Sequence, residues 1–358
     1  MSQGLKRIHH VEMVVGNAKQ AAFFYRQAFG FDQIAYRGPE TGTPDRVSYV
    51  LRQNDIWMIL TTPLRHDDPL NIWLTLHGDG VRDIAFEVED TAGIYASSTA
   101  KGATGYSEPR AWGDEKGTVQ TASIRTYGEV LHTFIQRDGY KGFLPDFEIR
   151  EIKGAGAGLQ CIDHIVGNVS DQQMDKWVQW YDETLGLGKF VSYDDHDICT
   201  DYTALRSTVV ASDDRAIKFP INEPAEGLKK SQIQEYIDAN LTAGVQHLAL
   251  SSDDILESIA TLRANGVEFL AVPQGYYDTV WDRVGEVKED KERIAELGIL
   301  VDHDDKGYLL QLFTRPLQDR PTLFIEIIQR RGSDSFGKGN FKALFETIEQ
   351  EQALRGNL

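Results

Sequence analysis

The chain carries two copies of one sequence pattern, and this internal repeat limits what it can fold into. The segment Ile8-His9-His10-Val11 returns as Ile162-Asp163-His164-Ile165, so the two aligned histidines stand 154 positions apart. A second match pairs residues 131–137 with residues 324–330, and both segments end in Gln-Arg. Self-similarity over so long a period indicates two copies of one structural unit. At 358 residues the chain is long enough for each copy to bury a core of its own.

Each copy is in turn divided into two modules of similar pattern. A short apolar strand precedes an amphipathic helix that a glycine ends, and alternating strands follow. The predicted helices are 18–29, 91–101, 174–185 and 254–265, with a last helix at 341–353. This order predicts an α+β fold of four βαβββ-type modules, paired into two curled, open-barrel domains. We place the domains at 1–152 and 153–358, and we expect the final helix to cover the second domain as a lid.

The run Lys153-Gly-Ala-Gly-Ala-Gly158 between the two copies has two interpretations. A glycine-rich run can be a dinucleotide-binding loop, but such a loop follows a strand and begins a helix. Here the run precedes a strand, so we interpret it as the linker between the domains.

Charge and cysteine content exclude several classes of protein. The formal net charge of −18 argues against nucleic acid and anionic membranes as partners, because both require a basic surface. The N-terminus shows no apolar signal segment, and no apolar run is long enough to span a bilayer. The two cysteines, Cys161 and Cys199, fit a reducing compartment, and we expect a cytoplasmic protein. Strand alternation predicts that Cys161 is a small core residue facing away from His164.

The two copies differ in the residues that could hold a metal. At matched positions the first copy has His10, Asp83 and Thr133, whereas the second has His164, His247 and Glu326. Two imidazoles and one carboxylate, without cysteine, suit borderline divalent metals and leave coordination positions open, as in non-haem Fe(II) oxygenases. A structural zinc site would fill all four positions with protein ligands. The sequence therefore predicts a metal site in the second copy and none in the first.

The long ligand spacing leaves an alternative for each residue. A histidine on an apolar strand is often only a core residue, and alternation could turn Glu326 towards solvent. That orientation would expose Phe324 and Ile328 beside it, whereas a buried, unpaired carboxylate would cost several kcal/mol. Convergence of the three strands in one curled sheet, with a metal between them, removes both difficulties.

Further motifs surround the three candidate ligands, at 162–168, 220–224, 230–234, 244–250 and 310–330, followed by Phe336-Gly-Lys-Gly-Asn-Phe-Lys-Ala-Leu-Phe345. Through these motifs the chain resembles the 4-hydroxyphenylpyruvate dioxygenase family, part of the vicinal oxygen chelate superfamily. The resemblance spans nearly the whole chain and is strongest in the second copy. The resemblance implies that His164, His247 and Glu326 bind Fe(II).

The resemblance also implies a substrate pocket beside the metal. The catalytic polar residues would be Ser207, Asn222, Gln246 and Gln311. The substrate-binding residues would be Gln232, Pro220, Phe313, Phe324, Phe336, Phe341 and Leu344. A few polar groups in an aromatic cleft suit a phenol that carries a 2-oxo acid.

The reaction that the resemblance implies converts 4-hydroxyphenylpyruvate and O2 to homogentisate and CO2, within tyrosine and phenylalanine catabolism. The nearest alternative is 4-hydroxymandelate synthase, which uses the same substrate and metal but hydroxylates the benzylic carbon. A non-catalytic ligand-binding protein of the same superfamily is a second alternative, which the retained ligand set disfavours. An extradiol dioxygenase would need an acid–base histidine that we do not find. We further expect a homo-oligomer.

Overall fold

A computed structural model of the protein describes residues 4–195, 199–200 and 202–357. The first part of the chain forms a nine-stranded sheet with three helices. Its elements in chain order are β1 (Leu5–Val14), α1 (Ala18–Ala28), β2 (Asp32–Arg37), β3 (Arg46–Gln53), β4 (Ile56–Pro63), α2 (Pro69–His77), β5 (Gly80–Val88), α3 (Thr91–Ala100), β6 (Gly105–Asp114), β7 (Gly117–Arg125), β8 (Leu131–Gln136) and β9 (Glu148–Ile152).

The second part forms an eight-stranded sheet and carries the remaining helices. Its elements are β10 (Leu159–Asn168), α4 (Met174–Leu185), β11 (Gly188–Tyr193), β12 (Ala204–Ala211), β13 (Lys218–Ala225), α5 (Gln232–Asn240), β14 (Gly244–Ser252), α6 (Ile255–Ala264), α7 (Val280–Val284), α8 (Lys291–Leu297), β15 (Leu300–His303), β16 (Tyr308–Phe313), β17 (Phe324–Arg331) and α9 (Phe341–Leu354).

The order of elements confirms the fold class that the repeat predicts. The four βαβββ modules begin at β1, β5, β10 and β14, and the fourth contains α7 and α8 as an insertion. Residues 153–158 connect β9, at one edge of the first sheet, to β10 in the second sheet. The division of the chain after residue 152 stays a prediction.

The strand order brings the module-initial strands to the centre of each sheet. The order is β6-β7-β8-β5-β1-β4-β3-β2-β9 in the first sheet and β11-β12-β13-β10-β14-β17-β16-β15 in the second. In the second sheet β10 and β14 pair antiparallel, and each pairs parallel with the last strand of its own module. Residues at matched places on β10, β14 and β17 are therefore side by side.

Local sequence explains why the helices form where they do and which face they bury. The Asn17 side chain accepts a hydrogen bond from the Gln20 amide and caps α1, while Gly186 ends α4 in the left-handed conformation. The buried faces of both helices, which include Tyr25 and Tyr181, join one apolar core to which both sheets contribute. The Tyr181 hydroxyl lies 2.8 Å from the Nε2 atom of His132, a buried hydrogen bond between the two halves. Within the described residues, no helix combines the length and apolarity needed to cross a bilayer.

Candidate metal centre

Three neighbouring central strands of the second sheet place the predicted ligands on one face. His164 on β10 and Glu326 on β17 both pair with Ala249 of β14, from opposite sides. His247 precedes Ala249 by two residues, and side chains two positions apart on a strand share a face. All three side chains are buried on that face of the sheet.

The geometry of the three side chains suits one metal ion. One donor atom from each lies within 4.8 Å of the others. Glu326 Oε2 is 3.1 Å from His164 Nε2 and 3.3 Å from His247 Nε2. Two imidazole nitrogens and one carboxylate oxygen that point to a common centre are the donor set of an open, three-ligand site. The residues present thus fit a divalent metal.

Electrostatic interactions keep the carboxylate of this group ionised. Burial opposes ionisation of Glu326, but the neighbouring imidazoles of His164 and His247 lower its pKa to about 2. Burial alone would lower the pKa of His164, whereas the Glu326 and Asp163 carboxylates raise it above its ordinary value. The pKa of His247 is lowered, chiefly by burial. Because a metal requires neutral imidazole, its binding must displace the proton that these carboxylates stabilise on His164.

The neighbours of the two histidines fix which ring nitrogen faces the centre. His164 Nδ1 lies 2.7 Å from Asp163 Oδ1, and His247 Nδ1 lies 3.0 Å from Gln246 Oε1. Both acceptors require a proton on Nδ1, which leaves the Nε2 lone pair for a metal. These contacts leave Nε2 of both histidines as the candidate donor atom.

A cavity lies beside the ligand set, and its wall is mostly apolar with a few polar side chains, as is usual for small-molecule sites. Apart from the three ligands, ten of the predicted pocket residues line it: Ser207, Pro220, Asn222, Gln232, Gln246, Phe313, Phe324, Phe336, Phe341 and Leu344.

Gln311 is the predicted pocket residue that does not line this cavity. It is buried on β16, two residues before Phe313, and neither amide atom has a hydrogen-bond partner among the described residues. Gly337, in the left-handed conformation at φ +80°, lies against the Gln311 amide, and a Cβ atom there would come within 2.5 Å of Nε2. The backbone that leads into α9 therefore covers Gln311.

The sequence prediction missed several residues of the cavity wall. These are Val166, Tyr193, Leu205, Val209, Phe345 and Ile348. Phe345 and Ile348 follow Phe341 at helical spacing on α9, so the apolar face of that helix was the available signal. Leu205 and Val209 stand two residues before and after Ser207 on β12, and Val166 stands two residues after His164 on β10, so strand alternation was the signal for these three. No such pattern marks Tyr193, at the end of β11.

The matched positions of the first half are arranged differently. The Thr133 hydroxyl donates a hydrogen bond to the Asp83 carboxyl, and the backbone amide of Thr133 donates a second one to the same carboxyl at 3.1 Å. The His10 ring contacts a different partner, with its Nδ1 atom 2.8 Å from Nδ1 of His9. Burial lowers the pKa of His10 to about 3, so this ring is neutral. The expected absence of metal from this half stays a prediction.

The buried Asp83 carboxyl predicts a pH-dependent stability. Burial raises its pKa to about 7, although the Thr133 hydrogen bonds oppose the rise. Between an ordinary value of about 3.9 and this raised value, the folded chain holds a proton that the unfolded chain has lost, so stability falls as pH rises. Because Asn cannot titrate, the free energy of unfolding of wild type should fall by about 2–3 kcal/mol relative to that of Asp83→Asn when the pH rises from 5 to 8. Urea denaturation of both proteins at both pH values measures this change. The same difference between the two proteins at pH 5 and pH 8 would contradict a neutral Asp83.

Comparison with known proteins gives a consistent result over nearly the full chain. Residues 7–127 and 161–311 match the model of the Glyoxalase/Bleomycin resistance protein/Dioxygenase superfamily. A protein of Aspergillus fumigatus named 4-hydroxyphenylpyruvate dioxygenase is 48% identical over 99% of this chain and 94% of its own length. The proteins of that name from Caenorhabditis elegans and Dictyostelium discoideum are 49% and 48% identical, each over 98% of this chain and over 92% and 99% of their own lengths.

Solved structures agree with the observed fold. A mutant 4-hydroxymandelate synthase from Streptomyces coelicolor superposes with a TM-score of 0.88 at 30% identity, over 98% of this chain and 100% of its own. A fusion protein of a xylose isomerase-like TIM barrel and 4-hydroxyphenylpyruvate dioxygenase superposes with a TM-score of 0.75 at 20% identity, over 98% of this chain and 54% of its own. The second likeness concerns the fold alone.

Proposed function

This chain belongs to the 4-hydroxyphenylpyruvate dioxygenase family of the Glyoxalase/Bleomycin resistance protein/Dioxygenase superfamily, and we propose that it converts 4-hydroxyphenylpyruvate and O2 to homogentisate and CO2 with Fe(II). The observation that carries the proposal is the buried group His164, His247 and Glu326 at the wall of an aromatic cavity. O2 as co-substrate and assembly into a homo-oligomer are parts of the same proposal.

The donor set fits the proposed ion. A dioxygenase reaction needs a metal that can change its oxidation state, which zinc cannot do. His164, His247 and Glu326 leave several coordination positions open, enough for both oxygens of a 2-oxo acid and for O2. Bound there, Fe(II) would supply the redox chemistry towards O2 and a positive charge for the 2-oxo acid group.

The side chains of the cavity would hold the rest of the substrate. We propose that Phe313, Phe324 and Phe336 enclose the aromatic ring, while the polar groups of Ser207, Asn222, Gln232 and Gln246 form hydrogen bonds with its oxygens. Asn222 lies opposite Ser207 on the neighbouring strand, so their polar groups reach the cavity from one wall. Gln311 is proposed to join this network, because its buried amide has no partner within the described chain and lies on the Glu326 face of the sheet.

The C-terminal helix α9 would exclude water from this space. Its first turn places Phe341 against the Tyr193 ring, with centroids 5.4 Å apart, at the cavity wall. Just beyond its other end, Arg355 forms two hydrogen bonds with the Glu235 carboxylate, at 2.7 and 3.0 Å. Because α9 is held at both ends, we propose that it is the lid of the site in its closed position.

The two nearest candidate reactions differ in the carbon that is oxidised. The relatives at 48–49% identity are named 4-hydroxyphenylpyruvate dioxygenase, whereas the 4-hydroxymandelate synthase structure is 30% identical. This difference favours oxidation of the ring over oxidation of the benzylic carbon.

A single-turnover experiment tests the proposal. Metal-free protein is loaded with Fe(II) and 4-hydroxyphenylpyruvate without oxygen, O2 is then added, and the products are separated. We expect one homogentisate and one CO2 per O2 consumed. Hydroxymandelate as the main product would support the benzylic alternative, and no turnover despite bound iron would support a ligand-binding protein.

A further inference from the structure

Arg330 connects the proposed metal ligand His164 to the beginning of the lid. It is the last residue but one of β17, and its Nε and Nη2 atoms donate to the two Asp163 carboxylate oxygens at 2.8 and 2.9 Å. Its Nη1 atom donates to the backbone carbonyls of Ser333 and Ser335 at 3.2 and 2.6 Å. One guanidinium thus binds both β10, a central strand of the second sheet, and the segment that leads into α9.

Further contacts connect the partners of this arginine to one another. Asp163 accepts the Nδ1 proton of His164, and the His164 ring meets the Phe336 ring edge to face, with centroids 5.1 Å apart. The Arg330 guanidinium lies 5.3 Å from the centre of the same Phe336 ring. A closed set of contacts therefore runs from His164 to Asp163, to Arg330, to Phe336 and back to His164.

Charge explains why the link is stable although it is buried. Burial alone would raise the pKa of Asp163, but hydrogen bonds from His164 and Arg330 hold it well below its ordinary value. Lys218 lies 3.4 Å from the same carboxylate and adds a second positive charge. A guanidinium presents donors in a planar fork that can serve a carboxylate and two carbonyls at once, which a lysine ammonium cannot do.

The first half of the chain contains a similar group of contacts around the arginine that matches Arg330. Arg137 corresponds to Arg330, and its guanidinium donates to the carbonyls of Tyr140 and Gly142, again three and five residues further on. Phe143, six residues further on, packs against His10 at 5.5 Å, as Phe336 packs against His164. Here the segment after the last strand fills the concave face with Phe143, Leu144 and Phe147.

One substitution within this arrangement separates the two halves. His9 occupies the position of Asp163, and its Nε2 atom lies 3.4 Å from Arg137 Nη1. The arginine therefore holds the following segment over the sheet in both halves, but only the second half has a carboxylate between the arginine and a histidine. The fixed spacing of the contacts in two copies indicates a device that duplication preserved.

We propose that Arg330 is a positioning residue that fixes the orientation of His164 and the beginning of the C-terminal lid in a single arrangement. Lid closure and ligand geometry are then two consequences of one contact group. The inference rests on the proposed metal site for His164 and on the contacts alone for the lid.

Arg330→Lys tests the proposal in the full-length, metal-free protein, because it keeps the charge that balances Asp163 but loses the fork. We expect Co²⁺ to bind about 10–100-fold more weakly, as is typical when a partner of a metal-bound histidine is lost, with an altered Co²⁺ absorption spectrum. We also expect trypsin to cleave after Lys338 several-fold faster in the absence of metal.

Two variants provide the controls. Arg137→Lys should accelerate cleavage after Lys141 in the first half and leave Co²⁺ affinity and spectrum unchanged. Asp163→Asn should weaken Co²⁺ binding but leave cleavage after Lys338 close to wild type, because the carbonyl contacts and the Phe336 contact of Arg330 remain.

Several results would overturn the proposal. One is an Arg330→Lys variant that binds Co²⁺ with wild-type affinity and spectrum. Another is an Arg330→Lys variant that binds Co²⁺ more weakly but is not cleaved faster after Lys338. Should that variant fail to fold, Asp163→Asn decides, and unchanged affinity there counts against the proposal. A wild-type protein that binds no Co²⁺ refutes the proposed metal site instead, which keeps the two failures distinguishable.

Discussion

Glu326→Gln should fold normally and retain almost no iron. The substitution keeps the shape of the side chain but removes the only negative charge among the three donors. An amide oxygen is a much weaker ligand for a divalent cation than a carboxylate in a buried site. We expect the iron affinity to fall by more than the roughly 10–100-fold that is usual for loss of an outer partner. Iron per chain after dialysis against a chelator measures the loss, and homogentisate formation should fall with it.

The first half of the chain offers the control. Thr133 occupies the position that matches Glu326, and Thr133→Val removes its side-chain oxygen without a change of shape. This variant should retain wild-type iron and turnover. Equal iron in wild type and Glu326→Gln would refute the ligand role of Glu326, and iron loss in Thr133→Val would place a metal in the first half.

Much of the fold followed from the repeat because strand alternation and helix periodicity are local. The helix expected at 174–185 is α4 to the residue, and that expected at 18–29 is longer than α1 by one residue. The ligand set could be predicted across spacings of about 80 residues for a different reason. Duplication places the first strands of two modules next to each other, so matched residues on β10 and β14 must meet in space.

Departures from regular alternation could not be predicted. Cys161 was expected in the core, but it is exposed, because irregularities in the pairing of β10 with β14 on both sides of Ile162 shift which residues face inwards. The same irregularity lets Asp163 and His164, although adjacent, both be buried and hydrogen bonded to each other. The sequence therefore indicated the ligand but not the carboxylate that orients it.

The sequence of the C-terminal helix also does not show which of its acidic residues is buried. Glu349 is buried, and it accepts a hydrogen bond from the Thr203 hydroxyl at 2.6 Å. Its partner lies 146 residues away in the chain, so the contact arises from docking of α9 on the second sheet. Helical periodicity can identify a polar face but not the partner that buries it.

Phe336→Ala and Phe341→Ala should separate O2 consumption from homogentisate formation. Phe336 packs against His164, and Phe341 packs against Tyr193, so both side chains fix the aromatic end of the cavity beside the ligand set. Neither substitution changes a donor atom or the hydrogen bonds that link His164 to Asp163 and Arg330, so iron content should be unchanged. The substrate ring would lose its fixed position, and a displacement of about 1 Å can change a rate about 100-fold. O2 uptake should therefore continue while homogentisate per O2 falls several-fold and hydroxyphenylacetate or hydroxymandelate appears.

Phe143→Ala is the matched control, because Phe143 has the place of Phe336 in the first half and contacts His10 instead of a proposed ligand. It should lower thermal stability, since it removes an aromatic ring from a buried cluster, but it should leave the yield of homogentisate per O2 at the wild-type value. An oxygen electrode together with product chromatography gives both quantities for the three variants. Full coupling in Phe336→Ala and Phe341→Ala would show that these rings are only packing residues. The lid would then have to hold the substrate through other contacts of α9, such as Leu344 and Ile348.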